Sequence, residues 1–385
     1  MNSRERLLTA LSHKEPDRVP LDIGQTIVTG ITKKAYQNLL HYLGLEGRNI
    51  TICDITQQLA GVDEDILKQF GVDVRGFYPE APSDWELAFT EDDAYSFFSD
   101  EWGIVRRTQK TGGLYYDLWK SPFAEVTEEN FDQYKWPKPV DPKRINNLIK
   151  KAEVAGKEGE YAVAMGACPV LGASYLTQFQ LLVGFVEAYV NLVGEPELSN
   201  KFFDKFLELD LAFWEWFLPQ AGQYIDIILT GDDVAGQNGL LISQEMIQRY
   251  LKPRFKKLFA TIHKLAPHIK IIFHSCGAVY DVIPDLIDIG VDVLNPVQLS
   301  AAGMDIKKLK KEFGRDLSFW GGGVDTQYTL PHGTPSQVEE EVKRNLEILM
   351  PGGGYVFNPV HNIQADVPPE NIIAMVEAVH KYGKY

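Results

Sequence analysis

Short apolar runs alternate with longer amphipathic stretches along most of the 385-residue chain. Eight of the runs have β character: 19–24 (VPLDIG), 72–77 (VDVRGF), 161–168 (YAVAMGAC), 225–233 (IDIILTGDD), 269–276 (IKIIFHSC), 291–298 (VDVLNPVQ), 317–323 (LSFWGGG) and 354–361 (GYVFNPVH). Ahead of the first, SRERLLTALSHKEPDR has Ser3 in an N-cap position and Leu7, Leu8 and Leu11 at helical spacing, which predicts an opening helix that stops before Pro16. Toward the C-terminus, SQEMIQRYLKPRFKKLFATIHKLA, VYDVIPDLIDIG, DIKKLKKEFG and PSQVEEEVKRNLEILM each carry apolar residues at i, i+3, i+4 spacing. Strand and helix therefore alternate strictly through the second half. That alternation predicts parallel strands joined by right-handed helical crossovers. Eight units fit a closed (β/α)8 TIM barrel of the α/β class better than the alternative, an open doubly wound sheet.

Residues 78–140 break the repeat. FSDEWGIVRRTQKTGGLYYDLWKSPFAEV reads as a β-hairpin with TGG as its turn, inserted into the barrel. Its DEWG and YYDLW set aromatics beside acids, which surface packing explains as well as substrate contact does. With no internal repeat and no low-complexity linker, residues 1–385 read as a single domain.

In such a barrel the C-terminal strand ends form the active face, and polar residues gather at those ends here. The fourth run ends in Asp232 and Asp233, followed by Gln237; the fifth ends in His274 and Cys276; the sixth carries Asn295 and Gln298. The seventh leads into Asp325 and Gln327, and the eighth into His361, Asn362 and Gln364. Singly, an Asp or Asn in these places is as readily a helix cap or a turn residue. As a set, they mark one rim. Asp233 and His274 are the candidate catalytic residues, and Asp232, Gln237, Asn295, Gln298 and Asn362 the candidate substrate contacts.

His274 and Cys276 stand two apart at a strand end, so both side chains project to the same face, and imidazole with thiolate is half of a zinc site. His361, at the same end of another strand, supplies a third ligand. Three protein ligands and an open fourth position are the pattern of catalytic zinc. Asp233 is either a fourth ligand or a partner that orients His274. Cys168, next to Pro169, reads as packed rather than ligating.

Composition narrows the partners. The formal net charge of −15 argues against nucleic acid or an anionic membrane and leaves a small molecule or another protein. No window reaches the ~20 apolar residues of a membrane span, and Cys53, Cys168 and Cys276 are too few and scattered for a disulfide framework. A cytoplasmic protein with reduced thiols is expected.

ERLLTALSHKEPDRVPLDIG, FHSCG, GVDVLNPVQ, GTPSQVEEEVKRNLEIL and GGGYVFNPVHNIQADVPPENIIAM resemble the uroporphyrinogen decarboxylase superfamily along nearly the whole chain. The resemblance implies a TIM barrel and one of two chemistries: metal-free decarboxylation of a tetrapyrrole, or zinc-dependent methyl transfer to or from a corrinoid. Decarboxylases of the family grip carboxylates with an arginine-bearing loop after the first strand. The matching segment here, LDIGQTIVTG, has no arginine and contains Asp22. The methyltransferase branch carries a His-X-Cys pair, matched by His274 and Cys276, and a further Cys near the last strand, where this chain has His361. One thiolate instead of two leaves the metal a stronger Lewis acid, suited to activating a leaving oxygen. The expectation is a zinc methyltransferase that moves a methyl group between a small substrate, such as a methyl ether, and the cobalt of a corrinoid (cobalamin) on a partner protein. Transfer from methylcorrinoid to a thiol, a metal-free decarboxylase-like lyase and a non-catalytic tetrapyrrole-binding barrel are the alternatives.

Overall fold

The computed structural model describes residues 1–123, 125–165 and 174–385; Cys168 lies outside them. Seven parallel strands form one curled sheet: β1 (Val74–Phe77), β2 (Ala162–Met165), β3 (Ile227–Gly231), β4 (Lys270–His274), β5 (Val293–Asn295), β6 (Ser318–Trp320) and β7 (Tyr355–Val356). They lie side by side in chain order from β1 to β7. The architecture is TIM-barrel-like, as the alternation predicts.

The expected first strand differs. Residues 19–24 form no regular strand and make a single parallel bridge, Leu21 to Phe357. Pro20 has no N–H to give a ladder, so the segment bonds piecemeal to both neighbours. Asp22 N donates to Phe357 O (2.9 Å) and Phe357 N to Pro20 O (2.8 Å) on the β7 side, while Asp73 N donates to Leu21 O (2.8 Å) on the β1 side. The gap in the ring is thereby bridged. Asp73, fully buried, fastens this seam: it accepts from Arg6 Nη1 (2.7 Å), Arg18 Nη1 (2.8 Å) and Leu21 N (2.8 Å).

The opening helix is Ser3–Leu11, capped by Asn2 rather than Ser3. Asn2 Oδ1 accepts from Glu5 N (2.8 Å) and the Glu5 carboxylate accepts from Asn2 N (3.1 Å), a capping box that places the start one residue earlier than expected. Leu7 and Leu11 of this helix join Val74, Ala162, Ala164, Ile227, Leu229, Ile272, Val293, Trp320 and Val356 in the barrel interior. The helix also bonds through Arg4 N to Glu160 O and through Ala10 O to Gly354 N, just before β2 and β7, so it plugs the N-terminal end and leaves the opposite end for chemistry. The stretch after β3 runs as Gln244–Met246, a π turn over Ile247–Leu251 and the helix Lys252–Leu265. The widened turn accommodates Pro253, which has no N–H for the ladder.

The insertion is larger than a hairpin. Phe89–Glu91, Tyr95–Ser99, Val105–Gln109 and Asp117–Lys120 form a four-stranded antiparallel meander, with TGG in its last connection. A lone two-stranded hairpin cannot cover its own apolar face. Here Phe98, Phe89 and Tyr116 form one cluster, Phe98 lying 5.9 Å from Phe89 and 5.0 Å from Tyr116 between centroids and the other two 6.0 Å apart, which takes more than one hairpin to assemble. Among the described residues no single helix is long and apolar enough to cross a membrane.

Two outcomes test this architecture. Asp73→Ala removes the acceptor shared by the partly buried Arg18, by Leu21 N and by Arg6, which keeps Asp17, and should cost about 2–3 kcal/mol in urea unfolding; a loss below about 1 kcal/mol would show that the seam does not hold the ring. We propose that residues 1–385 act as one domain. Limited proteolysis should then release no independently stable half, and two such halves would contradict it.

Candidate metal centre and barrel mouth

β4 ends at His274, and the alternation of the chain carries through to Cys276. Ser275 turns the other way, fully buried, its Oγ accepting from Val234 N (3.2 Å). His274 Nε2 and Cys276 Sγ lie 3.4 Å apart. Two glycines make room for this. A Cβ at Gly231, the residue paired with His274 across β3 and β4, would sit 2.6 Å from His274 Cβ; one at Gly277 (φ +94°) would sit 2.5 Å from Gly236 O. Only glycine tolerates such an approach, and at Gly277 only glycine takes the left-handed backbone readily.

His361 reaches the same point from beyond β7. Its ring lies 5.4 Å from that of His274, edge to face, and the ligand-type atoms of His274, Cys276 and His361 all fall within 4.8 Å of one another. The structure thus brings together the three residues singled out as ligands.

The tautomer of His274 follows from its neighbours. Asn295 Nδ2 donates to Trp320 O (2.9 Å), which fixes the amide so that Oδ1 faces His274 Nδ1 at 2.6 Å. An amide oxygen can only accept, so Nδ1 carries the proton and Nε2 turns its lone pair into the mouth. Asn295 is fully buried with both polar atoms committed in this way, a positioning arrangement rather than the substrate contact expected from sequence.

The electrostatics run against free charge. Burial, with the nearby Asp233, pushes the Cys276 thiol well above its ordinary range. Burial and the adjacent His274 push the His361 imidazole down to about 4. Both shifts favour the neutral thiol and the neutral imidazole.

The other rim residues divide in two. Asp233 Oδ1 accepts from Cys276 N (2.8 Å) and lies 3.9 Å from His274 Nε2, with about half of the side chain exposed. Gln298 links the backbone N of Gly277 (2.6 Å) to Gln237, which donates to Gln327 (3.1 Å). Asp232 instead caps the helix Tyr175–Val183, accepting from Leu176 N (2.6 Å), Thr177 N (2.9 Å) and Thr177 Oγ1 (2.9 Å); burial raises its pKa to about 7. Asn362 accepts from Gly30 N (2.6 Å) and donates to Ile27 O and Gln57 Oε1 (both 2.8 Å), so it braces the loop after residue 24. Asp325 Oδ1 caps the turn at Gln327 and Tyr328.

A cavity of about 270 Å³ opens above the barrel, lined by Ile27, Val28, Gln57, Asp232, Asp233, His274 and His361 among others. Gln57 is a rim residue that strand-end reasoning passes over, because it lies on a loop between barrel units. Tyr115 is another. Burial pushes its hydroxyl pKa up, with Gln364, Asp54 and Cys276 nearby. YYD in the insertion was the available signal, but nothing local says which of its tyrosines turns to the barrel. Tyr116 turns away, into the meander, where its hydroxyl bonds Ser96 (3.1 Å).

The chain is similar to proteins of both chemistries. It is 23% identical to the uroporphyrinogen decarboxylase of Geobacter sulfurreducens over 302 residues, 76% of this chain and 81% of that one. It is 27% identical to the methylcobamide:CoM methyltransferase MtaA of Methanosarcina barkeri over 157 residues, 41% of this chain and 42% of that one. Among solved structures, a methyltransferase from Methanosarcina mazei aligns over 99% of both chains with a TM-score of 0.62 at 18% identity, a likeness of fold. The uroporphyrinogen decarboxylase (URO-D) family model matches residues 120–382, more than half of the chain, and the chain belongs to that family.

Proposed function

We propose that His274, Cys276 and His361 hold one zinc ion, and that the chain is a methyltransferase moving a methyl group between a small substrate, such as a methyl ether, and the cobalt of a corrinoid on a partner protein. The observation that carries the reading is the convergence of three ligand atoms within 4.8 Å, one of them on a histidine whose tautomer is fixed. Nitrogen and sulfur ligands of tetrahedral zinc lie roughly 3.3–3.8 Å apart. The 3.4 Å between His274 Nε2 and Cys276 Sγ suits that spacing as it stands, and the third ligand needs to move by only about 1 Å. Two imidazoles and a thiol favour zinc over the oxygen-seeking magnesium and calcium. The methylcobamide-linked relative supports the corrinoid partner, and three scattered cysteines suit a reducing, cytoplasmic setting.

Zinc bound there would supply Lewis acidity toward the substrate's leaving atom. The residues do the rest. Asn295 keeps the proton on His274 Nδ1; Cys276 gives up its proton on metal binding; Asp233, half exposed beside His274, meets the substrate; and Gln237 and Gln298 shape the rim. Asp232 and Asn362 hold the walls in place.

Metal-free decarboxylation is the second reading, favoured by the longer matches to decarboxylases. Against it, residues 21–30 offer a substrate's carboxylates no arginine and contain the buried Asp22, whose pKa burial lifts to about 7.

Elemental analysis should find one zinc per chain in the wild type and none in the His274→Ala, Cys276→Ala double variant; stoichiometric zinc in the double variant would refute the site. In chelator competition, Asn295→Ala should weaken zinc binding about 10–100-fold by freeing the His274 ring. His361→Ala, which removes a ligand outright, should weaken it further. An unchanged dissociation constant for His361→Ala would remove that residue from the metal site.

A further inference from the structure

Beside the mouth lies a second cavity of about 250 Å³, between the barrel loops and the inserted meander. Ile27, Ile52 and Ile55 line it from the barrel side, and Tyr78, Trp85 and Phe98 from the side of the insertion. Ile27 also lines the mouth cavity, so the two spaces adjoin across one side chain.

The charged groups of this second cavity are unequal. Arg144 pairs with Glu101, and Arg106 lies 3.5 Å from Asp100. Both guanidinium groups thus already face carboxylates, and a ligand carboxylate would have to compete for them. Asp54 differs. It accepts from Gln57 N (2.6 Å) and keeps acceptor capacity for a donor inside the cavity. Burial pushes its pKa up, which sets it to hydrogen-bond with a neutral donor. Isoleucine and aromatic walls beside the Asp54 acceptor suit a ring that carries one hydrogen-bond donor. The space holds a single substituted ring but not a tetrapyrrole.

We propose that this cavity binds the body of the small substrate, a neutral ring-bearing molecule whose hydroxyl donates to Asp54, with its reacting end passing Ile27 into the mouth. The proposal deepens, and rests on, the methyl-transfer reading. Tyr78, Trp85 and Phe98 precede the stretch matched by the family model, which begins at residue 120. On this proposal the meander supplies one wall of the substrate space.

The test is calorimetric titration with phenol and with benzoate as probes. Phenol should bind the wild type with a dissociation constant of about 1 mM, as expected for so small a ligand. Benzoate should bind about 10-fold more weakly or not at all, since its carboxylate brings no donor for Asp54 and both guanidinium groups already face carboxylates. Ile52→Trp fills the cavity and Asp54→Ala removes the acceptor. Each should weaken phenol about 10-fold, and the second variant decides the matter if the first does not fold. Phenol should still bind His274→Ala, because this cavity does not use the zinc ligands; zinc content measured on the same samples reports separately on the metal. Equal phenol affinity in wild type and Asp54→Ala, benzoate binding as tight as phenol, or no saturable phenol binding would overturn the proposal.

Discussion

One buried carboxylate carries the closure on which the site depends. Asp73 sits where the irregular segment 19–24 must join β1, and it takes two arginines and a backbone N–H at the same time. Losing both arginines would leave the fully buried Asp73 carboxylate with only a backbone partner, so the carboxylate depends on the guanidinium groups around it. The effect is geometric as well as energetic. His361 follows β7, and β7 with the stretch after it meets the first segment through the Leu21–Phe357 and Ile31–Ile363 bridges. A slip at that seam would carry His361 away from His274 and Cys276, which sit near the middle of the sheet.

As the proposed metal centre, His274, Cys276 and His361 would take up a cation rather than form an ion pair. A thiol pushed up and an imidazole pushed down by burial both prefer to be neutral, and a low-dielectric mouth makes uncompensated charge costly. Asp233 is the charge at hand, and it stays partly in solvent. A divalent ion reverses the balance, because it favours the thiolate that burial disfavours. Asn295 adds directional order by fixing one imidazole before any ligand arrives.

How much of this the sequence discloses depends on how far apart the interacting residues are. The period-two alternation of IKIIFHSC is local, and it places His274 and Cys276 on one face correctly. The seven strands and their parallel order follow from repeat spacing. Residues 19–24 mislead because hydrophobicity suggests a strand, while Pro20 and the Asp73 cluster, 50 residues away, impose a piecemeal seam. Asn295 reads as a rim amide until Trp320 O, 25 residues on, orients it. Asp232 and Asn362 likewise look available for substrate, and tertiary hydrogen bonds to Thr177 and Gly30 claim them. The insertion shows its turn but not its strand count, since TGG is local and the Phe89, Phe98 and Tyr116 cluster is not.

The same division bears on how one barrel serves two chemistries. The plug, the Asp73 seam and the Leu/Ile/Val interior would serve either one, because they act at the end opposite the mouth or inside the ring. The side chains at the open end on which the proposed reading rests are few: no arginine in residues 21–30, His274 and Cys276 on one strand end, and His361 where the resemblance to the methyltransferase branch implies a cysteine. Trading that cysteine for histidine removes one negative charge from the proposed zinc sphere. The ion would then withdraw more electron density from whatever oxygen it meets. On the proposed reading, a mouth with a thiolate count of one would suit releasing a methyl group from oxygen better than sharpening a thiol that receives one.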